Sequence, residues 1–295
     1  MRRLPPFLLA ATGAALVAAC GSSDTSSSGA ASGSTCETGT LTASGSTALQ
    51  PLVQKAAQDY QAKCSGATVT VSGGGSSAGL SNVASGVSDI GDSDVPSSFV
   101  KNIDASALKD HQVAVAVFAV IVNPGSGVTA LTAQQVQDVF SGKVTNWKDV
   151  GGGDVPITLI ERKPGSGTRL TFDKTVMKGT AESSSPASTQ DSTQLVLQGV
   201  VQAPGGVSYV GVASASSSVT KVTIDGAGPT AADVQAGKYP FYAHEHMYTK
   251  GDGSALAKSF IAFIMAADFQ QEVVQIGFLT ASTTTQPSAV DIGGA

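Results

Sequence analysis

The densest set of chemically capable residues lies between 157 and 177, in the stretch ITLIERKPGSGTRLTFDKTVM. Ile157, Leu159 and Ile160 give it a strand-like start. Arg162 follows, then Gly165-Ser166-Gly167-Thr168, then Leu170, Phe172, Val176 and Met177 in a helical pattern. A strand that turns through glycines into a helix leaves the first helical N–H groups unpartnered, with a partial positive charge behind them. Such a junction attracts anions, and Arg162 adds a planar fork whose charge is permanent. Taken alone, the same residues also describe a glycine turn beside a solvated arginine.

Two further stretches have the same form. LTASGSTALQPL (41–52) runs from a strand-like start through Gly45-Ser46-Thr47 into a helix with Pro51 in its first turn, where proline is tolerated. VTVSGGGSSAGL (69–80) does so through Gly73–Gly75 and Ser76-Ser77. If the three junctions meet, three helix N-termini offer about +1.5 in partial charge. That matches a small divalent oxyanion, and it requires neither a metal nor a cofactor.

The elements that would hold these turns follow an α/β rhythm. Strand, helix 51–63 (Leu52, Ala56 and Tyr60 at i, i+4, i+8), strand 68–72, helix 77–86 and a short strand with a loop over 87–96 predict a mostly parallel sheet. VAVAVFAVIV (113–122) is an apolar, β-branched run, a buried strand long enough to leave one lobe and enter another. A helix over 131–140 begun by Thr132, a loop over 144–153 holding Trp147, the strand and helix of the 157–177 stretch and a polar loop over 179–192 come next. A helix over 192–203, strands over 207–212 and 219–224 and a small helix over 230–236 follow. The alternating segment 240–248 is a second crossing strand. Helices over 254–267 and 269–276, with Ile261, Ile264 and Met265 on one face, return to the first lobe, and the tail 281–295 is polar and loose.

The whole chain has 295 residues, 41% hydrophobic and 13% charged, with a formal charge of −5. That supports about two domains with real cores. An acidic total argues against a nucleic-acid partner, which wants a basic face, but not against an anion held by local donors.

Arg2 and Arg3 precede a 16-residue apolar stretch, Leu4–Ala19, too short for a membrane span and flanked as a signal peptide is. It ends Leu16-Val17-Ala18-Ala19-Cys20, which resembles the lipobox of bacterial lipoproteins. Cleavage there makes Cys20 the lipid-bearing N-terminus and takes the formal side-chain charge from −5 to −7. Residues 21–36 are almost all Ser, Gly, Ala and Thr, a flexible tether with a reach of roughly 20–24 Å. Cys36 and Cys64 then remain as an even pair in an oxidising export compartment, where a bridge is expected and two free thiols are the alternative. The bridge would tie the entry of the first strand to the end of the first helix.

Several blocks, in order, resemble one family. GSTALQPLV (45–53), GGGSSAGLSNV (73–83), DIGDSDVP (89–96), IVNPGSGVTALTAQQVQDVFSGKVTNW (121–147), ERKPGSGTRLTF (161–172) and QAPGGVSYVG (202–211) are together similar to the PstS family, the phosphate-binding proteins that feed the bacterial phosphate ABC transporter. The resemblance covers nearly all of 41–280. It implies a two-lobe periplasmic-binding-protein-like (type II) α/β fold with two crossing strands and a ligand cleft between lobes. The lobes are expected at 37–116 plus 243–295 and at 117–242, after a signal peptide over 1–20.

The resemblance also implies a phosphate site made of Ser46, Thr47 and the backbone of Ala48, Ser76, Asp94, and Arg162, Ser166, Gly167 and Thr168. A carboxylate only accepts, so Asp94 favours an oxyanion that still carries a proton and disfavours sulfate. Asp92 reads as a turn residue. Pro164 departs from the family, many of whose members have an aspartate there bracing the arginine. The expected partners are inorganic phosphate, ABC transporter permease subunits, and the membrane through the lipid on Cys20. The protein is expected to be a monomer on the periplasmic or outer face of the cell membrane.

Two other readings use the same residues. The fold could take another oxyanion, sulfate or molybdate. Alternatively, Gly75-Ser76-Ser77-Ala78-Gly79 matches G-x-S-x-G between a strand and a helix, so Ser77 could be the nucleophile of a lipoprotein hydrolase. That needs a late histidine from among His111, His244 and His246, and the last two alternate on a crossing strand. His244 and His246 share a strand face and could also approach a metal, without the HExxH spacing that would mark one.

Overall fold

The computed structural model describes residues 36–283 and 285. Cys20, the signal segment and all but the end of the tether fall outside them, as does most of the tail.

The chain runs β1 (Gly39–Gly45), α1 (Gln50–Lys63), β2 (Ala67–Ser72), α2 (Ser76–Ser85), β3 (Ile90–Ser93) and β4 (Leu108–Val122). Then come β5 (Ala130–Leu131), α3 (Ala133–Phe140), β6 (Thr158–Arg162), α4 (Gly167–Phe172), β7 (Ser188–Gln190), α5 (Thr193–Gln202) and β8 (Gly206–Gly211). It ends with β9 (Thr220–Lys221), β10 (Thr223–Ile224), α6 (Ala231–Gln235), β11 (Tyr242–Lys250), α7 (Ala255–Met265), α8 (Ala267–Ile276) and β12 (Leu279–Thr280). The main sheet has the order β2-β1-β3-β11-β4-β8-β6-β7. Its two flanks are parallel, β2-β1-β3 on one side and β8-β6-β7 on the other. The antiparallel pair β4 and β11 joins them.

β4 passes from one flank to the other. Leu108–Val117 pair with β11, and Phe118–Val122 pair with β8. All ten residues Val113–Val122 are buried, as the apolar run predicts for a strand covered on both faces. The strand nevertheless starts five residues earlier than its apolar run, because Leu108–Gln112 pair with the polar end of β11. Hydropathy does not show that ladder. In the same way the expected strand over 219–224 is two short pieces, β9 against β4 and β10 against β5.

α1 buries Leu52, Ala56 and Tyr60, and Tyr60 stands edge-on to Phe260 and Phe263 of α7 with ring centroids 5.6 and 5.5 Å apart. α7 and α8 thus complete the flank built by the start of the chain. On α7, Ile261 and Ile264 are buried as expected, but Met265 is 42% exposed. It is the last residue of the helix, where the turn into α8 lifts it from the packed face. Cys36 and Cys64 form a disulfide with Cα atoms 5.3 Å apart, tying the approach to β1 to the end of α1.

The other flank is set by an aromatic cluster. Phe172 at the end of α4 stacks on Tyr209 of β8 at 4.2 Å and meets Phe140 of α3 at 4.7 Å and Phe241 at 5.3 Å. Thr132 and Gln135 form a capping box that starts α3. Trp147 is wholly buried and donates Nε1–H to the Gly205 carbonyl at 3.0 Å, which pins the loop over 144–153. These contacts fix α4, and with it the direction in which the Gly165–Thr168 turn faces.

Candidate functional site

The three glycine turns converge. Ser77 N–H donates to the Gly165 carbonyl at 3.0 Å, joining the second turn to the third. Arg162 Nη2 donates to Thr47 Oγ1 at 3.1 Å, joining the third to the first. Gly75 N–H donates to the Gly45 carbonyl at 2.9 Å, closing the ring. Ser46, Thr47, Ala48, Ser76, Asp94, Arg162, Ser166 and Thr168 are all buried.

Close backbone approach makes this possible. A Cβ on Gly79 would stand 2.6 Å from the Ser44 carbonyl oxygen and 2.7 Å from that of Asp92, so only glycine lets α2 lie this near β1 and β3. A Cβ on Gly167 would run into Ser76 Oγ and stand 2.9 Å from Asp94 Cβ. Ser76 Oγ in turn accepts from the Asp94 N–H at 3.0 Å.

Asp94 sits at the centre. Ser46 Oγ donates to Oδ1 through a short hydrogen bond, and Thr168 Oγ1 donates to Oδ2 at 2.8 Å. Ser46 Oγ also accepts from the N–H groups of Ala48 and Leu49, each at 3.1 Å. The backbone donor of Ala48 therefore closes a local turn, and α1 itself begins only at Gln50. Ser166 caps α4 by accepting from Arg169 N–H at 3.3 Å. Gly167 and Thr168 supply the remaining first-turn N–H groups, which the helix cannot satisfy internally.

Arg162 is 1% exposed, and its hydrogen bonds are those of Nη2, to Thr47 and, at 3.5 Å, to the Asp191 carbonyl. Nε and Nη1 have no partner among the described residues. Burial pulls the guanidinium below its usual pKa, and the nearby Asp94 carboxylate opposes that. A buried cation with two unpartnered donors is costly unless an anion completes it. With Pro164 in place of a bracing aspartate, the arginine is held from behind instead. Arg169 donates to the Arg162 carbonyl and pairs with Glu182 and, at 3.4 Å, with Glu161. Tyr209 donates to Glu182 at 2.9 Å.

Sequence reasoning missed four contributors. Thr193, at the start of α5, shares a hydrogen bond with Thr47 Oγ1 at 3.0 Å and gives it its N–H at 3.2 Å. Asp191 offers its carbonyl. Asp92 is not in a turn: it lies in β3, 1% exposed, two residues before Asp94. Glu245 of β11 is wholly buried beside Asp94. Only a tertiary pairing of β3 with β11 reveals the last two, although DSD at 92–94 carried the alternation.

The hydrolase residues are distributed otherwise. Ser77 lies against Gly165, whereas His111 pairs with Thr249 at 3.2 Å, His244 with Thr285 at 3.3 Å and His246 with Asp110 at 2.9 Å. Among the described residues no group of three His, Cys, Asp or Glu side chains is placed to hold a metal ion. Among them, too, no helix is long and apolar enough to cross a membrane.

Residues 30–268 match the model of the PBP superfamily domain. The phosphate-binding protein PstS of Bacillus subtilis (strain 168) is 40% identical over 278 residues, covering 92% of this chain and 91% of that one. The chain belongs to the PstS family. Among solved structures, a putative phosphate ABC transporter substrate-binding protein from Clostridium perfringens, with bound phosphate, superposes with a TM-score of 0.76 at 28% identity. That match covers 82% of this chain and 99% of the other. An ABC-type phosphate transport receptor from Vibrio cholerae gives 0.63 at 27% identity, covering 81% and 99%. The chain shares the two-lobe α/β architecture of these structures.

Proposed function

We propose that the chain captures inorganic phosphate between two lobes and delivers it to an ABC-type importer. The observation that carries this reading is Arg162: a buried guanidinium whose Nε and Nη1 lack partners among the described residues, set where three hydroxyl-bearing turns meet. The ligand shell is Ser46, Thr47, Ala48, Ser76, Asp94, Arg162, Ser166, Gly167 and Thr168. The arginine, the hydroxyls and the α4 donors neutralise the oxyanion, and Asp94 accepts the proton that phosphate retains at neutral pH. In so buried a site each hydrogen bond to a charged ligand is worth more than in water.

The lobes are 37–116 plus 243–295 and 117–242, a division supported by the change of partner along β4 near Val117. The protein works as a monomer without catalysis, tethered by the lipid on Cys20 outside the cell membrane, where permease subunits receive its cargo. Titration calorimetry of the mature chain with phosphate and with sulfate tests the reading. Saturable one-to-one phosphate binding with sulfate rejected is expected; heat from sulfate alone would reassign the ligand.

A further inference from the structure

Asp94 has a neighbour that the phosphate reading does not use. β3 and β11 pair antiparallel with His246 opposite Ser93 and Met247 opposite Asp92. Asp94 directly follows this ladder on one chain segment and Glu245 directly precedes it on the other, so the two residues adjoin at its end. The register of β11 against β4 shifts between Glu245 and His246, an irregularity of the kind that re-aims a side chain beside a functional site. The Glu245 carboxyl is close enough to the Asp94 carboxyl for each to act on the other.

Three carboxyls are thus buried together: Asp92 at 1%, Asp94 at 1% and Glu245 at 0% exposure. They are not equivalent. Asp94 receives the hydroxyls of Ser46 and Thr168, and its charge acts on the nearby Arg162 guanidinium. Neither oxygen of Asp92 and neither oxygen of Glu245 has a donor among the described residues. The strand on the other side of Glu245 offers only Ala114 in register, and α2 brings hydroxyls and apolar groups, with Ser76 and Leu80 buried. His246 turns to Asp110. Among the described residues no cation therefore faces Glu245 directly, and burial without donors disfavours the charged form of a carboxyl. Burial, with the neighbouring Asp94 charge adding to it, raises Glu245 well above the usual carboxylate range, and the same two causes raise Asp92.

We propose that Glu245 is the positioning residue for Asp94: a neutral carboxylic acid that donates its proton to the Asp94 carboxylate and fixes its direction toward the ligand. The single negative charge of the three carboxyls then rests on Asp94. A second charge at this spot would repel the oxyanion, and an apolar residue would remove one of the groups that hold Asp94 in its direction. This rests on the phosphate reading for its effect on binding, whereas the proton on Glu245 can be read in the ligand-free chain.

The test uses the mature chain with E245Q and E245A. Infrared difference spectra of wild type minus E245Q at pH 7.5, without phosphate, should show a protonated-carboxyl C=O stretch; a carboxylate signal there overturns the proposal. In calorimetry, the amide of E245Q can still donate to Asp94, so phosphate affinity should stay within about threefold and keep its pH profile. E245A should bind phosphate at least tenfold more weakly while E245Q does not. Tighter phosphate binding or new sulfate binding by E245Q would mean that a charge had been removed, and equal affinity of E245A and wild type would mean that nothing had been positioned; either overturns it. A wild-type chain that ignores phosphate would sink the ligand reading and the positioning role resting on it, while the infrared band still decides the proton.

Discussion

Thr168 Oγ1 donates to Asp94 Oδ2 at 2.8 Å, although 74 residues separate them, so the end of β3 and the first turn of α4 share one acid. With Ser46 on the other oxygen, Asp94 binds the first and third turns together and still has lone pairs for a ligand hydroxyl. A carboxylate in this position rejects an oxyanion with no proton to give. Asp94→Asn supplies an N–H₂ donor instead, and sulfate affinity should rise toward that for phosphate. Competition titrations with the two anions check this, and an unchanged ratio removes Asp94 from the ligand shell.

Arg162 contributes a charge that nothing else in the site replaces. Arg162→Ala should cost at least about 2 kcal/mol of phosphate binding, about thirtyfold in affinity. Arg162→Lys keeps the charge but loses the fork, and should fall between the two. Because the arginine is buried with unpartnered donors, its removal should leave the melting temperature level or higher in the absence of phosphate. Calorimetry and thermal unfolding of both variants give the answer, and unaltered phosphate binding in Arg162→Ala would count heavily against the site.

Gly167 has an ordinary negative φ, so its requirement is for space rather than for an unusual backbone. Gly167→Ala would push its methyl into Ser76 Oγ and against Asp94 Cβ, wedging the third turn away from the other two. Phosphate affinity should drop more than tenfold. Thermal stability should change little, since α4 itself tolerates alanine better than glycine. Gly86→Ala is the control, because a Cβ there meets nothing within 4 Å, although its positive φ adds modest strain. Equal phosphate affinity in Gly167→Ala and wild type would show that the turns need not touch.

The site was legible in the sequence to the extent that its parts are local. Each glycine–hydroxyl turn announces itself within about ten residues, because strand periodicity, glycine and helical periodicity follow one another directly. The crossing strand β4 was legible for a similar reason, as burial on both faces leaves an unbroken apolar run. What stayed hidden is what only tertiary pairing creates. Nothing near Glu245 distinguishes it from an ordinary polar residue in an alternating strand, and its burial follows from β11 lying between β3 and β4. Asp92 looked like half of a turn for the same reason. Thr193 looked like an ordinary first residue of a helix, and only the fold sets it against Thr47. Arg169 was hidden differently: it is part of the helical pattern after the third turn, and its role as the brace behind Arg162 depends on Glu182 arriving from a polar loop.

That brace makes stability depend on pH. Burial, aided by repulsion from Asp173 and opposed by Arg169, pushes Glu182 from 4.5 up to about 7. Its folded-state value is thus above the unfolded one, and between pH 4.5 and about 7 the folded chain binds more protons than the unfolded chain. Stability must therefore fall as pH rises through that window and level off above it. For Glu182 alone the loss is on the order of 3 kcal/mol. Glu161 and Asp173 are raised chiefly by burial and slope the same way. Denaturant unfolding should thus give a larger free energy at pH 5 than at pH 7.5. Glu182→Gln, which cannot titrate, should flatten a substantial part of that difference while keeping the hydrogen bond from Tyr209. An identical slope in the variant would show that the proton resides elsewhere in the cluster, and greater stability at pH 7.5 than at pH 5 would contradict the buried-acid account altogether.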